Sequence, residues 1–179
     1  MDTRIDKNNY YLDIAETVAS RATCLRKKYG TVIVNHDQII STGYNGAPRG
    51  RINCCDLGVC TKKKLLPNQR HGGYDACRSV HSEQNAIISA SREEMLGGTL
   101  YLVGYRTENH DYEEGAAPCL MCRKMIINAG IEKVVVRVDK TKFDIYEVSE
   151  WIKNDEFLNG QLSYWLKRGK NNERKDSKT

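Results

Sequence analysis

Apolar residues recur along this chain with two different periods, and the alternation between them predicts the order of helices and strands. Over residues 11–22 they repeat every three or four positions, which predicts an amphipathic helix. Residues 31–34 and 38–43 are short runs rich in β-branched side chains, and a polar turn separates them. This pattern predicts a β-hairpin.

Strand and helix patterns alternate in the second half of the chain. Residues 84–90 and 119–130 show helical spacing, and Gly130 is a stop signal for the second of these helices. Runs rich in β-branched residues at 97–103 and 131–138 flank that second helix. Because a strand–helix–strand order favours parallel pairing, the sequence predicts an α/β layered domain.

Two segments are less regular. Residues 51–78 show no periodicity, yet they contain four cysteines and His71. A long irregular loop is usually functional or held in place, and a metal ion is one way to hold it. Residues 143–165 are expected to be helical in parts.

The chain of 179 residues has the size of one domain, and its charge is unevenly distributed. We expect residues 1–166 to form that domain. Residues 167–179 contain six basic and two acidic side chains, so they carry +4 of the net charge of +5. This composition predicts a disordered, solubilising tail rather than a nucleic-acid-binding arm. The nearly neutral remainder argues against a nucleic-acid partner.

The first residues and the cysteine content indicate the compartment. The first seven residues are mostly polar, so no signal peptide is expected, and no apolar run approaches the length of a membrane span. We therefore expect a cytoplasmic protein without a membrane partner. Its seven cysteines would be reduced there, and the CxxC spacing favours metal binding over disulfides.

Two short motifs contain the residues of a metal site. His81-Ser82-Glu83 supplies one imidazole, and Cys119 and Cys122 supply two thiolates. A catalytic zinc keeps one of its four positions open for water, so three protein ligands suffice. Glu83 is then left to move the proton of that water. Both motifs lie where a predicted helix begins, so two helix N-termini would face one metal ion.

Other interpretations of these motifs remain open. A single CxxC motif is often a redox or structural element, and a further cysteine could complete a closed, structural Cys₃His zinc site. Such a site would need neither Glu83 nor the position at the helix starts. The order H-x-E followed by P-C-x-x-C is instead typical of zinc-dependent nucleobase deaminases.

Over residues 8–138 the chain resembles the deoxycytidylate (dCMP) deaminases of bacterial and phage type, within the zinc-dependent cytidine and deoxycytidylate deaminase superfamily. Besides Pro118-Cys119-Leu120-Met121-Cys122, the resemblance depends on three stretches. These are Gly43-Tyr44-Asn45-Gly46-Ala47-Pro48, His81-Ser82-Glu83-Gln84-Asn85-Ala86-Ile87 and Asn128-Ala129-Gly130-Ile131.

The resemblance implies a fold, a reaction and a set of ligands. The fold is a three-layer α/β/α sandwich with a central mixed sheet. The reaction is the hydrolytic deamination of dCMP to dUMP and ammonia, in which Glu83 takes the proton of a zinc-activated water and delivers protons to ring N3 and the leaving ammonia. Many members form homo-oligomers, often hexamers. They are activated by dCTP and inhibited by dTTP, with Mg²⁺ on the triphosphate.

Particular residues acquire roles by the same resemblance. The implied effector-linked residues are Arg49, which would also lie near nucleotide phosphate, and Arg92, although Arg92 is equally compatible with a solvated helix position. The implied substrate-binding residues are Asn45, Gly46, Ser82, Ala117 and Pro118.

A second, structural zinc is also implied by the resemblance. Its ligands would be Cys24, Cys54 and His71, with Cys77 as the fourth and Cys60 as the alternative. Cys55 is left over. The competing interpretation is a set of reduced, free thiols.

The chain departs from the family in two places. Residues 105–117 form a longer segment than is usual before the Pro-Cys pair, and no aromatic residue after Val138 matches the one that related enzymes stack on the base. Substrate identity is therefore open. Alternatives are a deaminase of another cytosine nucleotide or of a base in nucleic acid, or a non-catalytic zinc-binding module.

Overall fold

The structure is a computed structural model that describes residues 4–68 and 73–155. The predicted tail and His71 lie outside these described residues. So do Leu158, Leu162 and Trp165, which belong to the region expected to be helical in parts.

Five strands form one mixed sheet in the order β2-β1-β3-β4-β5. Only β3 and β4 pair in parallel, as the strand–helix–strand order predicts, and every other neighbouring pair is antiparallel. The strands are β1 Lys27–Asn35, β2 Gln38–Tyr44, β3 Thr99–Arg106, β4 Lys133–Arg137 and β5 Phe143–Glu147.

Seven helices and one 3₁₀ turn are found in the described parts of the chain. The longest are α1 Lys7–Ala19 and α6 Leu120–Ala129. The others are α2 Cys54–Leu57, α3 Thr61–Leu65, α4 Ser82–Ile88, α5 Arg92–Met95 and α7 Val148–Lys153, with the 3₁₀ turn at Tyr74–Ala76. Among them no helix has the length and apolar character needed to cross a membrane.

Side chains that alternate along the strands form two cores, one on each face of the sheet. On one face Val32, Val103 and Val135 pack with Leu12 and other residues of α1. On the other face the strands pack against α4 and α6, through residues that include Ile33, Leu100, Leu102, Val134, Val136, Ala86 and Ile126. The predicted three-layer α/β/α sandwich is therefore confirmed.

The β-hairpin of β1 and β2 is confirmed, with its turn at His36 and Asp37. Both residues have positive φ, 47° and 64°, the conformation that two-residue hairpin turns require. Asp37 also accepts hydrogen bonds from the Tyr11 hydroxyl at 2.8 Å and the Lys7 ammonium at 2.7 Å. The turn is thereby tied to α1.

Helix α1 begins earlier than its apolar stripe indicates. Asp6 is the N-cap, and its carboxylate accepts a hydrogen bond from the backbone N–H of Asn9 at 3.0 Å. The helix ends at Ala19. Ala22, which follows the helix, is also buried. The stripe thus located the buried face, whereas the capping residue sets the start.

Residues 143–165 are helical in part, as expected, at α7 Val148–Lys153, whereas the expectation of a long loop without secondary structure at residues 51–78 was wrong. Residues 143–147 form strand β5, which pairs antiparallel with β4 at the edge of the sheet. Phe143 packs against the core on one face of the sheet and Tyr146 against the core on the other, whereas Ile145 is exposed. Residues 51–78 contain α2, α3 and the 3₁₀ turn, although their sequence shows no periodicity. Helices this short present no repeated apolar face.

A glycine on β2 sets the distance between the sheet and the start of α4. A Cβ atom at Gly43 would lie 2.2 Å from the carbonyl oxygen of Ser82 and 2.4 Å from the nitrogen of Ala86. Only glycine allows this approach. The close packing places the N-terminus of α4 directly on the sheet.

Candidate metal centre

The two sequence motifs meet where helices α4 and α6 begin. His81 is the N-cap of α4, and Cys119 is the N-cap of α6. The Gln84 side chain accepts a hydrogen bond from the His81 N–H at 2.9 Å and donates to the Met121 sulfur at 3.1 Å. The prediction that two helix N-termini converge on one point is confirmed.

Three donor atoms lie within 4.8 Å of one another, from His81, Cys119 and Cys122. The His81 Nδ1 atom is 3.5 Å from the Cys119 Sγ and 3.4 Å from the Cys122 Sγ. A tetrahedral zinc with Zn–N of about 2.1 Å and Zn–S of about 2.3 Å would separate nitrogen and sulfur ligands by about 3.6 Å. The donor set therefore fits zinc.

The two thiols differ in acidity. A hydrogen bond from Cys122 lowers the pKa of Cys119 to about 4. The same hydrogen bond and burial raise the pKa of Cys122. A hydrogen bond with Cys119 also raises the pKa of the His81 imidazole. The Cys119 thiol therefore ionises more readily than an ordinary cysteine, and the thiolate is the form that binds metal.

Glu83 lies beside this donor set and is almost fully buried. The Ser82 hydroxyl donates to Glu83 Oε2 at 3.0 Å, and the Thr31 hydroxyl on β1 donates to Ser82 at 2.9 Å. Burial raises the pKa of the Glu83 carboxyl. The two hydroxyls fix the carboxylate next to the metal ligands.

A cavity of about 260 Å³ opens onto these residues. His81, Cys119 and Glu83 contribute to its lining, and Glu83 is the only acidic residue among the described residues that line it. The cavity is also lined by three cations, which are Arg26, Lys27 and Lys62.

The predicted substrate-binding residues divide into two groups. Asn45, Ser82 and Ala117 line the cavity. Gly46 and Pro118 do not line it but support the segments around it. Gly46 exchanges two backbone hydrogen bonds with Val80, at 3.2 and 2.8 Å, and the Pro118 carbonyl accepts from the Arg123 guanidinium at 3.1 Å.

Asn45 also has a structural role that its sequence context did not indicate. Its side-chain oxygen accepts from the Tyr29 N–H at 2.7 Å, and its side-chain nitrogen donates to the Lys27 carbonyl at 3.0 Å. Both contacts hold the Gly-rich loop against β1. The amide keeps one further N–H for a ligand, because its nitrogen has two.

The two predicted effector residues lie outside the cavity lining. Arg49 is exposed. Arg92 is exposed on α5, and its Nε donates to the Asn128 carbonyl at 3.0 Å. This contact satisfies a free carbonyl near the end of α6, where a cation is favourable. Arg92 thus has a local role in the structure.

Some cavity residues were missed by the sequence analysis. Tyr74 packs edge-on against the His81 ring, with centroids 4.9 Å apart, and the Lys62 ammonium lies 5.4 Å from the Tyr74 ring centre. Both come from the segment without periodicity, which gives no signal for them. Arg26 lies two residues after Cys24, which was predicted to bind a metal ion. Its closeness to that cysteine in the sequence could have indicated that Arg26 lies near the site.

Three of the remaining cysteines line this cavity and a fourth, Cys54, is near enough to feel their charge, although only His81, Cys119 and Cys122 form a close donor cluster among the described residues. The three lining cysteines are Cys24, Cys60 and Cys77. The Cys55 N–H donates to the Thr23 carbonyl at 3.1 Å, which brings Cys54 towards Cys24. Burial, followed by the proximity of the other three thiols, raises the pKa of Cys54.

A mixed sheet with helices on both faces and a His-Cys-Cys donor set at two helix N-termini define an α/β zinc protein. Residues 5–138 match the protein family described as the cytidine and deoxycytidylate deaminase zinc-binding region. The chain belongs to this family, which confirms the resemblance inferred from its motifs.

Individual relatives agree with this assignment. The deoxycytidylate deaminase of Mycobacterium phage D29 is 34% identical over 137 residues, which are 74% of this chain and 95% of the relative. The crystal structure of the cyanophage S-TIM5 dCMP deaminase in apo form has a TM-score of 0.53 and 27% identity. The aligned region covers 77% of this chain and 89% of the S-TIM5 chain. The same enzyme in complex with dCMP and dUMP also has a TM-score of 0.53 and 27% identity, covering 75% and 84%.

Proposed function

We propose that this protein catalyses the hydrolytic deamination of dCMP to dUMP and ammonia. The observation that carries the proposal is the buried Glu83 carboxylate beside the donor set of His81, Cys119 and Cys122. A closed structural zinc site would need no such carboxylate. Family membership and the dCMP and dUMP ligands of the S-TIM5 enzyme support the proposal.

The catalytic roles follow from the positions of these residues. His81, Cys119 and Cys122 would hold the zinc ion, which when bound supplies Lewis-acid activation of water. Glu83 would carry one proton of the attacking water to ring N3, and then the second, from the new hydroxyl on C4, to the departing amine. A C4–O bond forms, and the C4–N bond of cytosine breaks to release ammonia. Ser82, held by Thr31, keeps the carboxylate in place.

The cations of the cavity favour a nucleotide over a free nucleoside. Arg26, Lys27 and Lys62 all line it, and a phosphate monoester carries nearly two negative charges at neutral pH. A panel of cytidine, deoxycytidine, dCMP, dCTP and cytosine in single-stranded DNA tests this. The proposal requires dCMP to have the highest kcat/KM, and preference for any other compound would reassign the substrate.

We further propose a second, structural zinc held by Cys24, Cys54, His71 and Cys77, with Cys60 as the alternative fourth ligand. The gathering of the four cysteines described above supports it. An ion there would connect the segment before β1 to the otherwise irregular region after residue 50.

Replacing Cys54 with serine should lower the zinc content from about two ions per chain to about one and lower the melting temperature, since structural zinc contributes directly to folding free energy. Metal analysis and thermal melting measure both effects. The exposed neighbour Cys55→Ser is the matched control and should retain both ions. Cys77→Ser and Cys60→Ser then separate the two candidate fourth ligands. A single zinc in the unaltered protein would contradict the second site.

Regulation, assembly and location complete the proposal. We propose activation by dCTP and inhibition by dTTP with Mg²⁺, a homo-oligomeric assembly such as a hexamer, and a cytoplasmic location. None of the seven cysteines, all of which lie within the described residues, is in a disulfide, and disulfides are rare in cytosolic proteins. Arg49 and Arg92 are the proposed effector contacts. Nucleotide titration addresses the effectors, and light scattering addresses the assembly.

A further inference from the structure

An acidic residue of the long segment before the Pro-Cys pair holds one of the cavity cations. Glu113 Oε1 lies 2.5 Å from the Lys27 ammonium. Its Oε2 lies 3.7 Å from Arg106 Nε and is buried without a hydrogen-bond partner in the described structure. Lys27 and Arg106 face each other across β1 and β3, so the carboxylate sits between two cations.

The segment that carries Glu113 is fixed to the body of the domain. The Glu113 N–H donates to the Gly104 carbonyl at 2.9 Å. The Tyr112 hydroxyl donates to the Glu16 carboxylate of α1 at 2.8 Å. His110 stacks on Tyr105 with centroids 3.8 Å apart. With 15% of its side chain exposed, Glu113 is held beside Lys27 rather than extended into solvent.

This ion pair changes the positive charge that the cavity offers to a ligand. Of the three lining cations, Lys27 is neutralised by Glu113. Arg26 and Lys62 make no ion pair within the described part of the chain. Two available positive charges match the charge of a phosphate monoester, which approaches −2 at neutral pH. A triphosphate carries more negative charge than these two cations offset, and the third lining cation, Lys27, is already paired with Glu113.

We propose that Glu113, by holding Lys27, selects nucleoside monophosphates over nucleoside triphosphates as substrates. The inference rests on the proposed deamination and assigns a specificity role to the long segment before the Pro-Cys pair. Glu113 acts through Lys27 and is therefore a positioning residue.

Glu113→Gln tests the proposal, and the adjacent exposed Glu114→Gln is a matched control with the same change in net charge. Each protein receives dCMP or dCTP as its only substrate, and dUMP or dUTP is measured. We expect the ratio of kcat/KM for dCTP to that for dCMP to rise roughly 10- to 100-fold in Glu113→Gln, as gaining a charged hydrogen bond implies. The change should lie mainly in KM, and the double variant with Lys27→Gln should lose it.

Two results would overturn the proposal. One is an unchanged ratio in Glu113→Gln, and the other is an equal rise in Glu114→Gln, which would indicate only the overall charge. If Glu113→Gln fails to fold, Lys27→Gln tests the same pair, because Glu113, left with only the more distant Arg106, should lower the ratio below that of the unaltered protein. A ratio that does not fall would then reject the proposal.

A binding measurement separates this inference from the proposed reaction. Calorimetric displacement of dCMP by dCTP, in zinc-loaded proteins that also carry Glu83→Gln to prevent turnover, gives the ratio of the two Kd values at the cavity itself. If the unaltered protein deaminates neither nucleotide, the proposed function fails. The Glu113 inference is then supported if Glu113→Gln lowers the Kd for dCTP relative to that for dCMP, and it is rejected if the ratio does not change.

Discussion

Glu83→Gln should slow the release of ammonia from dCMP by roughly 10²- to 10⁴-fold, the usual contribution of a positioned general acid or base. Glutamine keeps the size of the side chain and can still accept the hydrogen bond from Ser82, but it cannot take up a proton from water. The zinc content should not change, because Glu83 is not one of the three clustered donors. Steady-state kinetics and metal analysis on the same preparation measure both properties.

The control for this variant is Glu93→Gln, which makes the same chemical change at an exposed position on α5. It should retain full activity. Activity retained by Glu83→Gln would remove the proton-transfer role from the mechanism. Loss of zinc in that variant would mean instead that the carboxylate binds the metal.

Cys119→Ser should remove the catalytic zinc and with it all measurable deamination. Loss of an outer-shell partner alone already costs roughly 10- to 100-fold in metal affinity, so loss of a thiolate ligand should cost more. Cys119 is preferable to Cys122 as the test site because Cys122 is fully buried and its replacement would also disturb the core. The measurement is a zinc titration with a competing chelator.

Cys55→Ser again provides the comparison, since that exposed thiol belongs to neither proposed site. Its zinc affinity should equal that of the unaltered protein. A Cys119→Ser protein that still binds the same amount of zinc with the same affinity would show that the donor set has been assigned wrongly.

The sequence predicted the parts of the fold in which local pattern and tertiary packing agree. The hairpin, the parallel pair β3 and β4, and the helix from Cys119 to Gly130 all have strong periodicity and clear end signals. The metal donors were predictable for a different reason. Their spacing reflects bonding chemistry, which few other arrangements of His and Cys reproduce.

Other features could not be predicted because they depend on contacts distant in sequence. Strand β5 exists because β4 offers it a partner, and its own five residues are too few and too irregular in their apolar pattern to predict a strand. The pairing of Lys27 with Glu113 joins residues far apart in the chain. Tyr74 reaches the site only because the region after residue 50 folds back onto His81.

The central claim is that the protein hydrolyses the amino group of dCMP, and incubation with dCMP in heavy-oxygen water tests it most directly. The account predicts equal amounts of ammonia and dUMP, with one labelled oxygen on C4 of each dUMP, because the attacking oxygen comes from water. Recovery of unchanged dCMP from protein that contains its full zinc content would contradict the account. The chain would then be a zinc-binding member of its family without this activity.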